Sequence, residues 1–386
     1  MFATSRNAEG PSAGLLGIQA GFMKIAHVVD SLEIGGAEML VSQMCRLQRG
    51  QGHDPCVYAV AALGALGERM QKEGFFLQPN VGRHLLDATR NFFRIFKESG
   101  PDVVHVHNPT PTIYAAIAAR MAGVPSIVST RHSLVSPPRK TVEELKYAMA
   151  ARSCDWIVGI CEATVANLKS MHTVSARKIV RVYNGATPLK RTAKDDWPRK
   201  NGFTLVYVGR LEPVKNHALL LNAFRGALAS MPDLRLWMVG DGSERGAMER
   251  LAAELGIVNQ VTFWGQQLDV ATFFSAADAF IMSSKSEGLP VSLLEAFSLG
   301  LPAIVTDVGG MAEVVRLAEA GLIVSATDPA KMGAAILRLA GSDAARERFS
   351  VNGEAAFHSR FTLQTMADAY MELYRDTARA RHAERD

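Results

Sequence analysis

Short β-branched runs alternate with helical patterns along nearly the whole chain, and the rhythm breaks only once. In the first half the runs are "KIAHVV" (24–29), "PCVYAV" (55–60), "DVVHVH" (102–107), "PSIVST" (125–130), "DWIVGI" (155–160) and "KIVRVY" (178–183). Helical periodicity lies between them, at 37–49, 85–99, 112–121 and 162–172. After a polar, proline-punctuated stretch, "PLKRTAKDDWPRKNG" (188–202), the rhythm restarts. The later runs are "FTLVYV" (203–208), "LRLWMV" (234–239), "VTFW" (261–264), "AFIM" (279–282), "AIVT" (303–306) and "LIV" (322–324). Strands that alternate with helices predict βαβ units and parallel sheets.

The expectation is therefore α/β: two doubly wound units, 23–187 and 203–360, joined by a linker at 188–202. A closing helical segment, 361–386, periodic over 363–379, is expected to pack back on the first unit. Ligands of open α/β sheets sit beyond the carboxyl ends of the strands. Two such sheets face to face put a cleft there. The Ser-, Ala- and Gly-rich residues 1–22 lack the basic start of a signal peptide, so they read as a disordered lead with Met23 as the natural start.

Composition narrows the class. Four cysteines, Cys45, Cys56, Cys154 and Cys161, show no C-x-x-C pair or metal-site spacing, which fits a reduced, cytoplasmic setting. No apolar run reaches the ~20 residues that span a bilayer. Residues 23–190 carry 20 Lys and Arg against 13 Asp and Glu, whereas 191–386 carry 21 against 24. A basic first half fits an anionic partner, a phosphate-bearing acceptor or a membrane surface, as well as it fits an uneven solvated face. The amphipathic 83–100 segment reads as a helix packed on its sheet, with a membrane-surface contact as the sharper alternative.

Several loops carry residues with chemistry. In "SLEIGGAEML" (31–40), Gly35 and Gly36 open a helix and let backbone approach an anion. A tight βα turn explains them equally well, and the dinucleotide fingerprint G-x-G-x-x-G is absent. In "DVVHVHNPTP", His105 and His107 share a strand face, with His107 nearer the cleft and His105 read as internal packing. His132, after the next strand, lines the same rim. In "VYVGRLEPVKNHALLL", Gly209 ends a strand, and Arg210 and Lys215 converge on the helix start at His217. Fixed cations at a helix N-terminus suit a diphosphate that gains charge as it leaves. "MVGDGSER", with Gly240, and "VTFWGQ" turn at the same sheet edge.

"SEGLPVSLLEAFSLGLP" (286–302) holds two acids in apolar surroundings, Glu287 and Glu295. At their reference pKa both are ionised acceptors at pH 7, suited to sugar hydroxyls. "SLLE" also matches a capping box, in which Glu295 bonds back to the amide of Ser292. Paired-carboxylate glycoside hydrolysis is a rival reading, but it has no use for Arg210, Lys215 and a helix terminus.

The motifs "GGAE" (35–38), "HVHN" (105–108), "YNG" (183–185), "GRLEPVKN" (209–216), "VGDG" (239–242), "FWG" (263–265), "EGLPVSLLEA" (287–296) and "GLPAIVTDVGGMAEVV" (300–315) occur in one order. With them, residues 23–360 resemble the retaining glycosyltransferases of family 4, whose two Rossmann-like units form the GT-B architecture. The E-x7-E pair is Glu287 and Glu295, and the E-G-L-P form resembles members that build cell-surface polysaccharide and lipopolysaccharide. The resemblance implies that Arg210 and Lys215 bind the donor diphosphate, beside Gly209 and Gly240. It implies that Glu287 holds donor-sugar hydroxyls and Glu295 the ribose, with Gly288 and Leu289 against the donor. His107 is then near the donor sugar, Gly35 and Gly36 near phosphate or acceptor, and Asn184 at the hinge. Many members read E-G-F-G, so Pro290 removes one amide that otherwise meets the donor.

The activity expected is sugar transfer from a UDP or GDP sugar to a glycan or lipid-linked acceptor, with no metal cofactor and no nucleic acid partner. The enzyme is expected in the cytoplasm, peripheral on the inner face of the membrane. A sugar-nucleotide epimerase or a non-catalytic binding relative shares the architecture.

Overall fold

A computed structural model describes residues 21–383 apart from 34, 80, 83, 135–140, 173 and 193–201. Most of the expected lead, 1–22, and most of the expected linker, 188–202, lie outside the described residues.

The first sheet is built from β1 (Lys24–Val29), β2 (Asp54–Ala59), β3 (Phe76–Gln78), β4 (Val103–His107), β5 (Ser126–Arg131), β6 (Trp156–Gly159) and β7 (Ile179–Arg181). The second contains β8 (Thr204–Val208), β9 (Arg235–Val239), β10 (Val261–Gly265), β11 (Ala279–Met282), β12 (Ala303–Thr306) and β13 (Gly321–Val324). Among the described residues, the strands of both sheets all pair in parallel. The strand orders are β3-β2-β1-β4-β5-β6-β7 and β10-β9-β8-β11-β12-β13. Both are doubly wound. The order reverses between β1 and β4 in one sheet and between β8 and β11 in the other, and these switch points open the crevices of such sheets.

The strand runs are apolar on both faces because helices cover both. β4, β5, β8, β11 and β12 are buried throughout. The expected strands sit within a residue or two of the observed ones. The short β3, at the edge, is an addition that the sequence reading lacks.

The Leu363–Ala383 helix returns to the first sheet. Its Leu363, Met366, Tyr370, Met371 and Tyr374 share a core with Ile25, Met44, Val103, Val128 and Val158. Two tyrosines bond into the sheet: Tyr374 Oη lies 2.7 Å from His105 Nδ1, and Tyr370 Oη lies 2.9 Å from Thr130 Oγ1. Among the described residues, no helix is long and apolar enough to cross a membrane.

Candidate active site

Each sheet contributes the two loops that follow its switch-point strands. In the first sheet β1 leads to Gly35 and Gly36, and β4 ends at His107. In the second, β8 leads to Arg210 and Lys215, and β11 to Glu287. These four of the motifs that the sequence singled out therefore flank a reversal of strand order.

On the second sheet, Lys215 closes a short 3-10 turn, Pro213–Lys215, ahead of the His217–Leu228 helix. Ser283 Oγ anchors this turn by bonding to the carbonyls of Lys215 and Asn216. Lys215 Nζ lies 2.6 Å from Glu287 Oε2, and Ser284 Oγ donates to the same oxygen at 3.1 Å. Both charged side chains are mostly buried, so the pair is screened little by water. Arg210 is exposed beyond β8, and Tyr207 Oη donates to its carbonyl.

The glycine-rich "VGGMAEVV" segment supports the loop that carries Glu287. Gly309 has φ +52°, and a Cβ there falls 1.8 Å from the Glu287 carbonyl oxygen. Only glycine fits both demands. The Gly310 amide donates to Gly288 O at 2.7 Å.

Glu295 corrects two expectations. The helix that carries it, Val291–Ser298, starts one residue before Ser292, with Pro290 at the N-cap and no side-chain cap. Ser292 is thus inside the first turn, so the expected Ser292–Glu295 capping box does not form. Proline's fixed φ suits a helix start and sets the boundary. Nor is Glu295 simply ionised at neutral pH, because burial pushes its carboxyl up to about 7.

The first sheet answers across the cleft. Gly35 is the N-cap of the Gly36–Gly50 helix, and the space at Gly36 is open. Glu38, two residues on, is raised by burial and lowered by its own amide and by the charge of Arg210 in the other unit. Gly288 packs so closely on His132 that a Cβ there lies 2.5 Å from the His132 carbonyl. Asn184 of "YNG" donates to Leu289 O at 2.9 Å, tying the crossover segment to the same loop.

His107 is buried, and both its ring nitrogens are engaged: Nε2 with His27 Nδ1 at 3.1 Å and Nδ1 with His132 Nε2 at 3.2 Å. It therefore stands one step behind His132. The next residue, Asn108, has φ 73° and ψ 172°, a region held almost entirely by glycine. Its Oδ1 accepts the His132 amide at 3.1 Å, so the strained turn fixes the end of β5.

Some site residues escaped the sequence reading. Asp30 directly follows β1, and burial raises its carboxyl to about 6 while a Thr110 hydrogen bond opposes the rise. His27 is a polar residue inside an apolar strand run, which was the available signal. His217 is buried with neither ring nitrogen partnered, and burial lowers it to about 4. The ring nitrogens of His27, His105 and His107 lie within 4.8 Å of one another, a spacing that three metal ligands adopt. Each of them already has a hydrogen-bond partner in the protein.

Known proteins match this chain in sequence and in fold. The model described as Glycosyltransferase Family 4 matches residues 34–188, and the one described as Glycosyl transferases group 1 matches residues 190–356. Lipopolysaccharide core biosynthesis glycosyltransferase LpsD of Rhizobium meliloti (strain 1021) is 28% identical, over 91% of this chain and 98% of its own. The UDP-Gal:alpha-D-GlcNAc-diphosphoundecaprenol alpha-1,3-galactosyltransferase of Escherichia coli is also 28% identical, over 78% of this chain and 83% of its own. Among solved structures, HepE of Anabaena in complex with UDP-glucose superposes with a TM-score of 0.80 at 21% identity, covering 91% and 98% of the two chains.

Two doubly wound parallel sheets with their switch-point loops turned to each other define the GT-B fold class. Within that class the chain belongs to glycosyltransferase family 4, and it is a transferase enzyme.

Proposed function

We propose that the protein is a retaining glycosyltransferase that moves a sugar from a UDP or GDP sugar to an acceptor hydroxyl during assembly of a cell-surface glycan, polysaccharide or lipid-linked. The observation that carries this reading is the Lys215–Glu287 pair, which sets a diphosphate-binding cation and a hydroxyl-binding carboxylate 2.6 Å apart. Arg210 adds a second cation beyond the same strand.

In the reaction the bond from C1 to the diphosphate breaks with oxocarbenium character, and the diphosphate takes the negative charge. Arg210, Lys215 and the N-terminus of the His217–Leu228 helix stabilise that charge. The acceptor hydroxyl attacks C1 from the same face, and the departing phosphate takes its proton. Glu287 orients donor-sugar hydroxyls beside the amides of Gly288 and Leu289, and Glu295 holds the ribose. Gly35 and Gly36 approach the phosphates or acceptor, and His132, with His107 behind it, serves the acceptor side. This chemistry asks for no metal, so full turnover in EDTA is expected.

The named activities of the relatives support a glycan-building role, and the HepE complex supports a UDP donor. Val142, Leu145 and Met149 are exposed at one-face spacing on the Val142–Ala151 helix of the basic unit. They support peripheral contact with an anionic inner membrane face from the cytoplasm. Equal binding to neutral and anionic liposomes at low salt argues against that contact.

A melting-temperature panel of nucleotide-sugars tests the main reading. One UDP or GDP sugar is expected to stabilise the protein, with NAD inert. A flat panel, or conversion of the donor to its epimer without an acceptor, overturns it.

A further inference from the structure

Gln48 lies on the Gly36–Gly50 helix, fully buried. Its amide nitrogen has no partner, so its polar role in this fold is one bond, from His27 Nε2 to Gln48 Oε1, at 2.9 Å. His27 Nδ1 continues to His107 Nε2 at 3.1 Å, and His107 Nδ1 to His132 Nε2 at 3.2 Å. Four side chains thus form one line from the Gly36–Gly50 helix through β1 and β4 to His132, which packs against Gly288 of the other unit.

Burial holds the three imidazoles neutral, with His27 and His132 lowered to about 4 and His107 well below its usual range. Each ring therefore carries one proton, and each link needs one donor and one acceptor. A carbonyl oxygen only accepts. His27 must then hold its proton on Nε2 and accept at Nδ1. His107 must donate from Nε2 and accept at Nδ1. His132 must donate from Nε2, which leaves its Nδ1 a bare lone pair. That nitrogen is buried and has no partner in the protein. An amide NH2 in place of the Gln48 carbonyl reverses every link and turns His132 Nδ1 into a donor.

We propose that Gln48 and His27 are positioning residues that fix the tautomer of His132, so that its Nδ1 stands as an acceptor for a substrate hydroxyl. The proposal rests on the glycosyl-transfer reading for the identity of that hydroxyl, but not for the tautomer. A buried acceptor without a partner is costly, and a hydroxyl donor removes the cost. The direction of the line, set three hydrogen bonds away, decides whether the cleft accepts or donates at this point.

The test is nitrogen-15 NMR of the full chain with labelled histidine, without ligand. The expected result is the Nε2–H tautomer at His27, His107 and His132. A proton on His132 Nδ1 overturns the proposal. Gln48→Met keeps the volume and removes the acceptor. It is expected to mix the tautomers and lower kcat by about 10-fold or more, since a histidine in the wrong tautomer presents a donor where an acceptor is needed. Gln48→Glu restores an acceptor, the single tautomer and most of kcat. A Gln48→Met protein with one tautomer and wild-type kcat overturns the proposal.

UDP-glucose, UDP-galactose and GDP-mannose are then added at concentrations that raise the melting temperature, with and without octyl glucoside. Movement of the His132 Nδ1 resonance with the nucleotide-sugar alone assigns the hydroxyl to the donor. Movement only when the glycoside joins assigns it to the acceptor. No movement in either case overturns the acceptor role. The tautomer readout needs no turnover, so expected tautomers in a protein without transferase activity overturn the proposed function alone.

Discussion

Glu295 illustrates how a site residue weighs on stability. Its carboxyl is raised to about 7 by burial, so the folded state holds its proton more tightly than the unfolded chain. Its favourable contribution is present below its unfolded value, about 4.5, and is lost as pH rises through about 7. Glu295→Gln should therefore stabilise the ligand-free protein at pH 8 by on the order of 2 kcal/mol and change nothing at pH 4. Urea denaturation at the two pH values checks this, and equal effects at both contradict it. The same variant should bind UDP more weakly. Lys215 is the opposite case, since its partner Glu287 is already beside it. Lys215→Ala should lower kcat roughly 10²- to 10³-fold, the usual cost of removing one group that stabilises developing charge. Circular dichroism should show the fold intact, and wild-type turnover would remove Lys215 from the proposed diphosphate site.

Among the elements, the β4 turn stores strain beside the cleft. Asn108 combines a near-glycine backbone geometry with a side-chain bond to the His132 amide. Glycine relieves the backbone and loses the bond, whereas alanine loses both advantages. Asn108→Gly should be more stable than Asn108→Ala by about 1–3 kcal/mol, yet both should lose activity. Equal stability of the two in urea contradicts the strain assignment. Most strands were legible because both sheets are covered on both faces, which leaves continuous β-branched runs. β3 was not, since three residues at an edge carry too little pattern. The capping box misled because S-x-x-E is a local signal, and Pro290 set the helix start one residue earlier. The placement of Arg210, Lys215 and Glu287 at one edge of the second sheet was legible because each lies in a loop that follows a strand. The Gln48–His27 bond was not: it joins a helix to a strand, and only register places His27 beside His105.

Over the whole molecule, Glu313 joins the two units. It sits on the Gly309–Ala318 helix of the second sheet. Its carboxylate accepts the amides of Glu162 and Ala163 at the start of a first-unit helix and the Tyr183 hydroxyl. A carboxylate at a helix N-terminus is worth about 1 kcal/mol. Glu313→Ala should lower the melting temperature by roughly 2 °C and raise the donor KM more than it lowers kcat, because the units are then less well held around the donor. Small-angle scattering should show a larger radius of gyration without ligand. An unchanged radius and KM would make Glu313 a local cap only.

The return of the Leu363–Ala383 helix to the first sheet also bears on how the chain is made. Synthesis on the ribosome runs from the N-terminus, so β1 emerges long before the Leu363–Ala383 helix. The first sheet emerges early, yet Ile25, Met44 and Val128 find their covering residues only when Met366, Tyr370 and Tyr374 appear. Until then one apolar face of the early unit stays wet, and His105 lacks its tyrosine. The core of the second sheet is drawn mostly from residues 203–361, all of which are made before that helix. The core of the first sheet is thus completed only by the last helix, and the interval before it emerges is when a nascent chain most needs a chaperone.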